Sequence, residues 1–238
     1  MKIDLHVHSE YSDDANGSVE ELIKAAVKNG LNGIAIVDHN SVKGGLKGFE
    51  IAKEMKDFVV IPGVEISSAE GHILALNIKE NIPKKLSVEE TIERITSLGG
   101  ISVLPHPYRM LSGCMESITF PTLENFSLKK FSRLGEKNVG GFAGIEVFNS
   151  RSLGWENKKA EFLAEKLDIG KTGGSDAHSS NEVGYGVTEF SVNSFRIDDL
   201  IQEIGKKRTK GYGVLIPKKI VLRQHVKSLR LWFKRGRV

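Results

Sequence analysis

Residues Gly33-Ile34-Ala35-Ile36-Val37 are apolar at every position, and Asp38-His39-Asn40 follow at once. Side chains of a strand alternate between faces, so a run apolar throughout is covered on both, which is the condition of a central strand in a parallel sheet. Parallel neighbours need crossover helices, and the chain supplies them. Ser18, with Glu21 three residues on, makes a capping box for a helix to about Asn29, closed by Gly30. Further helices are expected from Ser41 or Val42 to about Met55, over about 87–97, over about 155–167 and over 197–207. Strands are expected over 3–9, 58–67, 101–104, 144–151, 169–178 and 186–192. Gly71–Leu76 follows at hairpin-like spacing, which returns His72 towards Glu65. The alternation favours one α/β domain.

Histidines and carboxylates collect where these strands end. His6 and His8 share one face of the first strand while Leu5 and Val7 take the other, and Asp13 or Asp14 follows in the next loop. His39, Glu65, His106, Asp176 and His178 each stand at or just beyond a strand end. In barrels and open sheets these ends meet on one face, where sites are built. An isolated His-x-His pair would be two core histidines; with His72 included, six of the seven histidines join this pattern. That argues for a metal site of mixed imidazole and carboxylate donors, suited to manganese, iron or zinc. His225 has no such context and is expected to be structural.

Asp4-Leu5-His6-Val7-His8-Ser9, Asp38-His39, Gly63-Val64-Glu65-Ile66-Ser67, His106-Pro107 and Ser175-Asp176-Ala177-His178 resemble, in order, the motifs of the polymerase and histidinol phosphatase (PHP) domain family. The resemblance spans residues 3 to about 190. It implies a distorted (β/α)7 TIM-like barrel holding two or three divalent metal ions (Mn, Fe or Zn), and a phosphoesterase acting through a metal-activated hydroxide. Carried over by position, His6, His8, Glu65 and Asp176 would hold one metal, Glu65 with His72 and His106 a second, and Asp13, His39 and His178 a third. Asp176, His178 and Glu65 would be catalytic, and Asp14 could stand in for Asp13. Arg109 and Arg151 are expected to bind the substrate, because guanidinium grips phosphate bidentately. Tyr11 and Tyr108 could stack on a base, although turn or packing roles suit them as well.

The favoured substrate is a nucleotide, nucleoside bisphosphate or short oligonucleotide. Histidinol phosphate is the alternative within the enzyme class, and a nucleic-acid-binding module with a non-catalytic metal site is the alternative outside it. The stretch from Met110 to about Gly141 reads as an inserted loop with short helices, and the single Cys114 as a buried small hydrophobe rather than a nucleophile. Gly184-x-Gly186 lacks a phosphate-loop lysine and a dinucleotide fingerprint around it, and reads as a turn.

Net charge, +4 overall, divides sharply. All 30 acidic residues but only 22 of the 34 basic ones lie at or before Glu203, so residues 1–203 carry −8 and the remainder is strongly basic. The chain is therefore divided into a phosphoesterase domain at 1–203 and a basic amphipathic C-terminal extension at 204–238. In that extension Leu222, Val226, Leu229 and Phe233 recur at helical spacing with Arg223, Lys227, Arg230 and Lys234 one residue behind. Docking on the acidic body or simple solvation is the first expectation for this helix, nucleic-acid contact the second. No run is long enough to span a bilayer and the N-terminus enters the first strand directly, so a cytoplasmic location is expected.

Overall fold

The computed structural model describes residues 1–109, 141–224 and 226. The expected inserted loop, Cys114, His225 and the end of the basic helix lie outside the described residues. Strands β1 (Lys2–Val7), β2 (Gly33–Ile36), β3 (Val59–Ser67), β4 (His72–Leu76), β5 (Ile101–Leu104), β6 (Gly144–Asn149) and β7 (Gly170–Gly174) pair in sequence order. The ring closes where β1 meets the residues after β7: His8 N–H donates to the Ala177 carbonyl (2.8 Å), and Ala177 N–H to that of His6 (3.3 Å). The result is the nearly closed, TIM-like barrel that the family resemblance implies.

Helices α1 (Val19–Lys28), α2 (Lys43–Ala52), α3 (Val88–Ser97), α4 (Gly154–Lys166) and α5 (Ile197–Gly205) flank or cap the strands. The Ser18–Glu21 capping box is formed in both directions, and Gly30 takes φ +71° after α1, a conformation that costs glycine little. β2 is buried at every residue, as expected of a strand covered on both faces.

The barrel departs from an all-parallel plan at β4, which runs antiparallel to both β3 and β5. Only residues 68–71 separate β3 from β4, too few for a crossover, so the chain turns straight back. β1 departs from strict alternation as well. Its register with β2 shifts between Asp4 and Val7, and Leu5 and Val7 pack in different clusters. Leu5 joins Ile3, Ala35, Val37, Ile61, Leu74 and Val103, drawn from five successive strands and so filling the barrel's interior below the site. Leu200 and Ile204 of α5 close that cluster from beneath.

β8 (Gly186–Phe190) and β9 (Thr209–Gly213), joined through α5, pair antiparallel, and β8 adds to the start of β1. A Cβ on Gly211 would stand 2.1 Å from the Thr172 carbonyl oxygen, so β9 lies on β7 backbone to backbone. α5 runs to Gly205 and Thr209–Gly213 adds a strand to the sheet, so the change of charge expected to mark a boundary at 203/204 falls inside α5. Among the described residues, no helix is long and apolar enough to cross a membrane.

Candidate metal centre

Every strand-end histidine and carboxylate named above as a ligand, apart from Asp13, reaches one hollow at the C-terminal mouth. Glu65 is at its middle, almost fully buried. Its Oε1 lies 2.9 Å from His72 Nδ1 and 3.2 Å from His106 Nε2. Its Oε2 lies 3.2 Å from His8 Nε2, 3.2 Å from His39 Nδ1 and 3.5 Å from His6 Nε2. One carboxylate thus faces two sets of imidazoles, a different oxygen to each. Asp176 Oδ1 closes the set around His6 and His8, at 3.7 and 3.5 Å.

The rings are oriented by what their other nitrogens touch. His6 Nδ1 is 2.9 Å from Glu146 Oε1, and His178 Nδ1 is 2.8 Å from the Asp176 carbonyl oxygen. The Ser12 hydroxyl donates to Asp38 Oδ1 (2.9 Å), leaving its lone pairs for the N–H of His39 (2.9 Å) and for His8 Nδ1 (3.3 Å). With Nδ1 occupied as a donor in all three, the hydrogen-bond network assigns the Nε2 lone pairs to the hollow. His6 Nε2 and His8 Nε2 are only 3.1 Å apart.

Two nitrogen lone pairs that close, ringed by carboxylate oxygens, need a positive charge between them. His6, His8 and Asp176 offer three donors within 4.8 Å of one another, as do His8, His39 and His178, and His39, Glu65 and His72. The residues therefore fit divalent metal ions, and the chemistry of the donors fits the borderline transition metals.

Electrostatics point the same way. Burial would lower His6 and His8, yet Glu146, Asp176 and Glu65 hold His6 well above the ordinary imidazole value, and hydrogen bonds with Asp176 and Glu65 raise His8 to about 9. Burial would raise Glu65 and Asp176, but the surrounding histidines, with Arg109 beside Asp176, keep both well below the usual carboxylate range. His178 behaves oppositely: burial, and then the Arg151 charge, lower it and favour the neutral ring.

Asp13 is exposed, whereas Asp14 Oδ2 lies 2.9 Å from His178 Nε2 and 3.5 Å from His39 Nε2. The loop carries Asp14 inward, so Asp14 replaces Asp13 as the candidate ligand. Arg109 is at the mouth and donates through Nη1 to Asp176 Oδ2. Arg151, expected to bind the substrate, has a side chain only 4% exposed, with Nη2 2.9 Å from Glu182. Glu182 Oε2 accepts from the His178 N–H at 2.7 Å, which links Arg151 to the His178 backbone.

Glu146 is the member that sequence reasoning missed. It is buried within β6, orients His6, and accepts from the His106 N–H (2.9 Å) and Asn149 Nδ2 (3.0 Å). The signal was a lone acid inside the apolar strand Gly144–Asn149. Gly174 is a second: a Cβ there would stand 2.3 Å from His6 Cβ and 2.8 Å from Glu146 Oε1. Only glycine leaves that ring its place.

A TIM-like barrel with such a donor set at its mouth is laid out as a metal-dependent enzyme. A model of the PHP domain matches residues 4–162, and one described as PHP-associated matches residues 154–209. The chain belongs to the PHP family of metal-dependent phosphoesterases. It is 36% identical, over 203 residues, to an uncharacterized protein of Methanocaldococcus jannaschii, covering 84% of this chain and 75% of that one. It is 30% identical, over 208 residues, to a probable phosphatase of Acetivibrio thermocellus, covering 76% and 81%. Among solved structures, it superposes on a two-domain protein containing a predicted PHP-like metal-dependent phosphoesterase from Bacteroides vulgatus with a TM-score of 0.68 at 19% identity, over 96% of this chain and 69% of that one.

Proposed function

We propose that the protein hydrolyses the phosphate ester of a nucleotide, nucleoside bisphosphate or short oligonucleotide, with three cations in the hollow. The carrying observation is Glu65, whose two oxygens address separate imidazole sets. On this reading His6, His8, Glu65 and Asp176 hold one cation, Glu65, His72 and His106 a second, and Asp14, His39 and His178 a third. Bound there, manganese, iron or zinc supplies a nucleophilic oxygen near neutral pH and offsets charge on the phosphoryl group.

The chain's own residues supply the rest. Glu146, Ser12 and the Asp176 carbonyl fix the ring orientations, and Asp38 fixes the Ser9–Ser12 loop by accepting from Ser9 N–H at 2.6 Å and Ser9 Oγ at 2.7 Å. Arg109 stands beside Asp176, where its guanidinium meets a phosphoryl oxygen. The nucleotide preference is supported by two aromatic rings that share Lys159, one of them Tyr108, the residue before Arg109. Lys159 Nζ lies 5.7 Å from the Tyr108 ring centre and 5.0 Å from that of Trp155, which is 44% exposed and opens α4. A base can stack on such a ring while its phosphate reaches Arg109.

The test is elemental analysis of protein purified without chelator, joined to a phosphate-release screen over sugar phosphates, histidinol phosphate, mononucleotides, nucleoside bisphosphates and short oligonucleotides. Metal-replete protein should release phosphate from the nucleotide members first. Preference for histidinol phosphate, or no release from any ester, overturns the proposal.

A further inference from the structure

Gln224 is 5% exposed, although its neighbours Leu222 and Val226 on the same C-terminal helix are 66% and 41% exposed. Its Nε2 donates to the backbone carbonyl of Asp14 at 2.6 Å, and its Oε1 accepts from Arg151 Nη2 at 3.2 Å. Arg151 Nη2 also donates to both oxygens of Glu182, at 2.9 Å each, and Glu182 holds the His178 backbone. From the other side, Asn16 N–H donates to the His178 carbonyl at 3.0 Å. The segment leading into the helix is itself tied down, with Ile216 N–H donating to the Ser150 carbonyl at 2.9 Å.

We propose that Gln224 is a positioning residue that sets cation occupancy of the Asp14, His39 and His178 pocket, making the C-terminal helix a wall of the site rather than an appendage. The position calls for one group that donates to a carbonyl and accepts from a guanidinium together. A primary amide does both; a carboxylate, an ammonium or an alkyl chain does not. Asp14 belongs to a loop whose carboxylate is half exposed, so a hold on its backbone decides how often that carboxylate faces His178. Arg151 is held from its other side by Glu182, which also accepts from the His178 N–H, so the same amide is tied to both the Asp14 and the His178 segments.

The inference rests on the three-cation reading, and manganese titration of the full-length, chelator-treated protein separates the two. Wild type is expected to take up three equivalents by calorimetry and elemental analysis. Gln224→Met should keep two of them at wild-type affinity and bind the third about tenfold more weakly. The variant should remain folded with a melting temperature lowered by no more than a few degrees, and kcat should recover at high manganese. Gln224→Ala is measured alongside in case the methionine misfolds. Three equivalents at wild-type affinities in a folded variant would overturn the role of Gln224; two equivalents in the wild type would overturn the three-cation reading, and this inference with it.

Discussion

His6 Nδ1 lies 2.9 Å from Glu146 Oε1, two buried groups 140 residues apart in the chain, and the contact turns the other imidazole nitrogen to the centre of the barrel mouth. Glu146→Gln keeps an acceptor but removes the charge. Metal affinity should fall about tenfold, measured by competition with a chromophoric chelator, without loss of fold. An unchanged affinity would show that Glu146 does not orient the ligand.

The inward turn at Asp14 separates two adjacent aspartates. Asp14→Asn should cut metal content and lower turnover at least about tenfold, while Asp13→Asn should stay near wild type in both. Equal effects from the two substitutions would remove the assignment of Asp14.

Protons and cations compete for the same nitrogens. Without metal, the surrounding carboxylates raise His6 well above 6.5 and His8 to about 9, so the facing pair holds a proton at pH 7 that must leave on binding. Apparent metal affinity should therefore rise with pH, most steeply below about 9, with a slope approaching tenfold per unit for each proton released. Calorimetry in buffers of different ionisation enthalpy counts the protons. Heats independent of the buffer would contradict the raised values.

Arg109 contacts a candidate ligand and faces the mouth, so removing it should weaken substrate capture more than it disturbs the fold. Arg109→Ala should lower kcat/KM about 10- to 100-fold, the range expected for a lost hydrogen bond to a charged group. Arg109→Lys should recover only part of that loss, since a single ammonium cannot form the fork. Full activity in the alanine variant would place the substrate elsewhere.

Gly174 permits close approach of β7 to β1. Gly174→Ala would place a methyl 2.3 Å from His6 Cβ, and neither backbone can yield without shifting the ring. Metal content and melting temperature should both drop, read by elemental analysis and by thermal unfolding. A stable, fully loaded alanine variant would mean that the two strands part more easily than their hydrogen bonds imply.

What could be read from the chain alone divides along physical lines. Strand-end residues were legible because type and position coincide: an imidazole after an apolar run has few other uses, and His6, His39, His106 and His178 all stand there. Glu146 was not, because an acid inside a strand ordinarily marks a solvent face, and only the closed barrel turns it inward. The partners of Arg151 were not legible, because Glu182 and Gln224, which engage it, lie 31 and 73 residues further on. β9 escaped because Thr209-Lys210-Gly211-Tyr212-Gly213 has the composition of a loop; its glycines are there to let backbone lie on backbone.

β1 brings His6 and His8 from the start of the chain, and the residues after β7 bring Asp176 and His178 from far along it, with the contact at Ala177 joining them. A growing polypeptide emerges from the ribosome in that same order. The first imidazoles wait for about 170 residues of synthesis before Asp176 and His178 exist, so the full donor set is assembled only when nearly the whole ring of strands has been made.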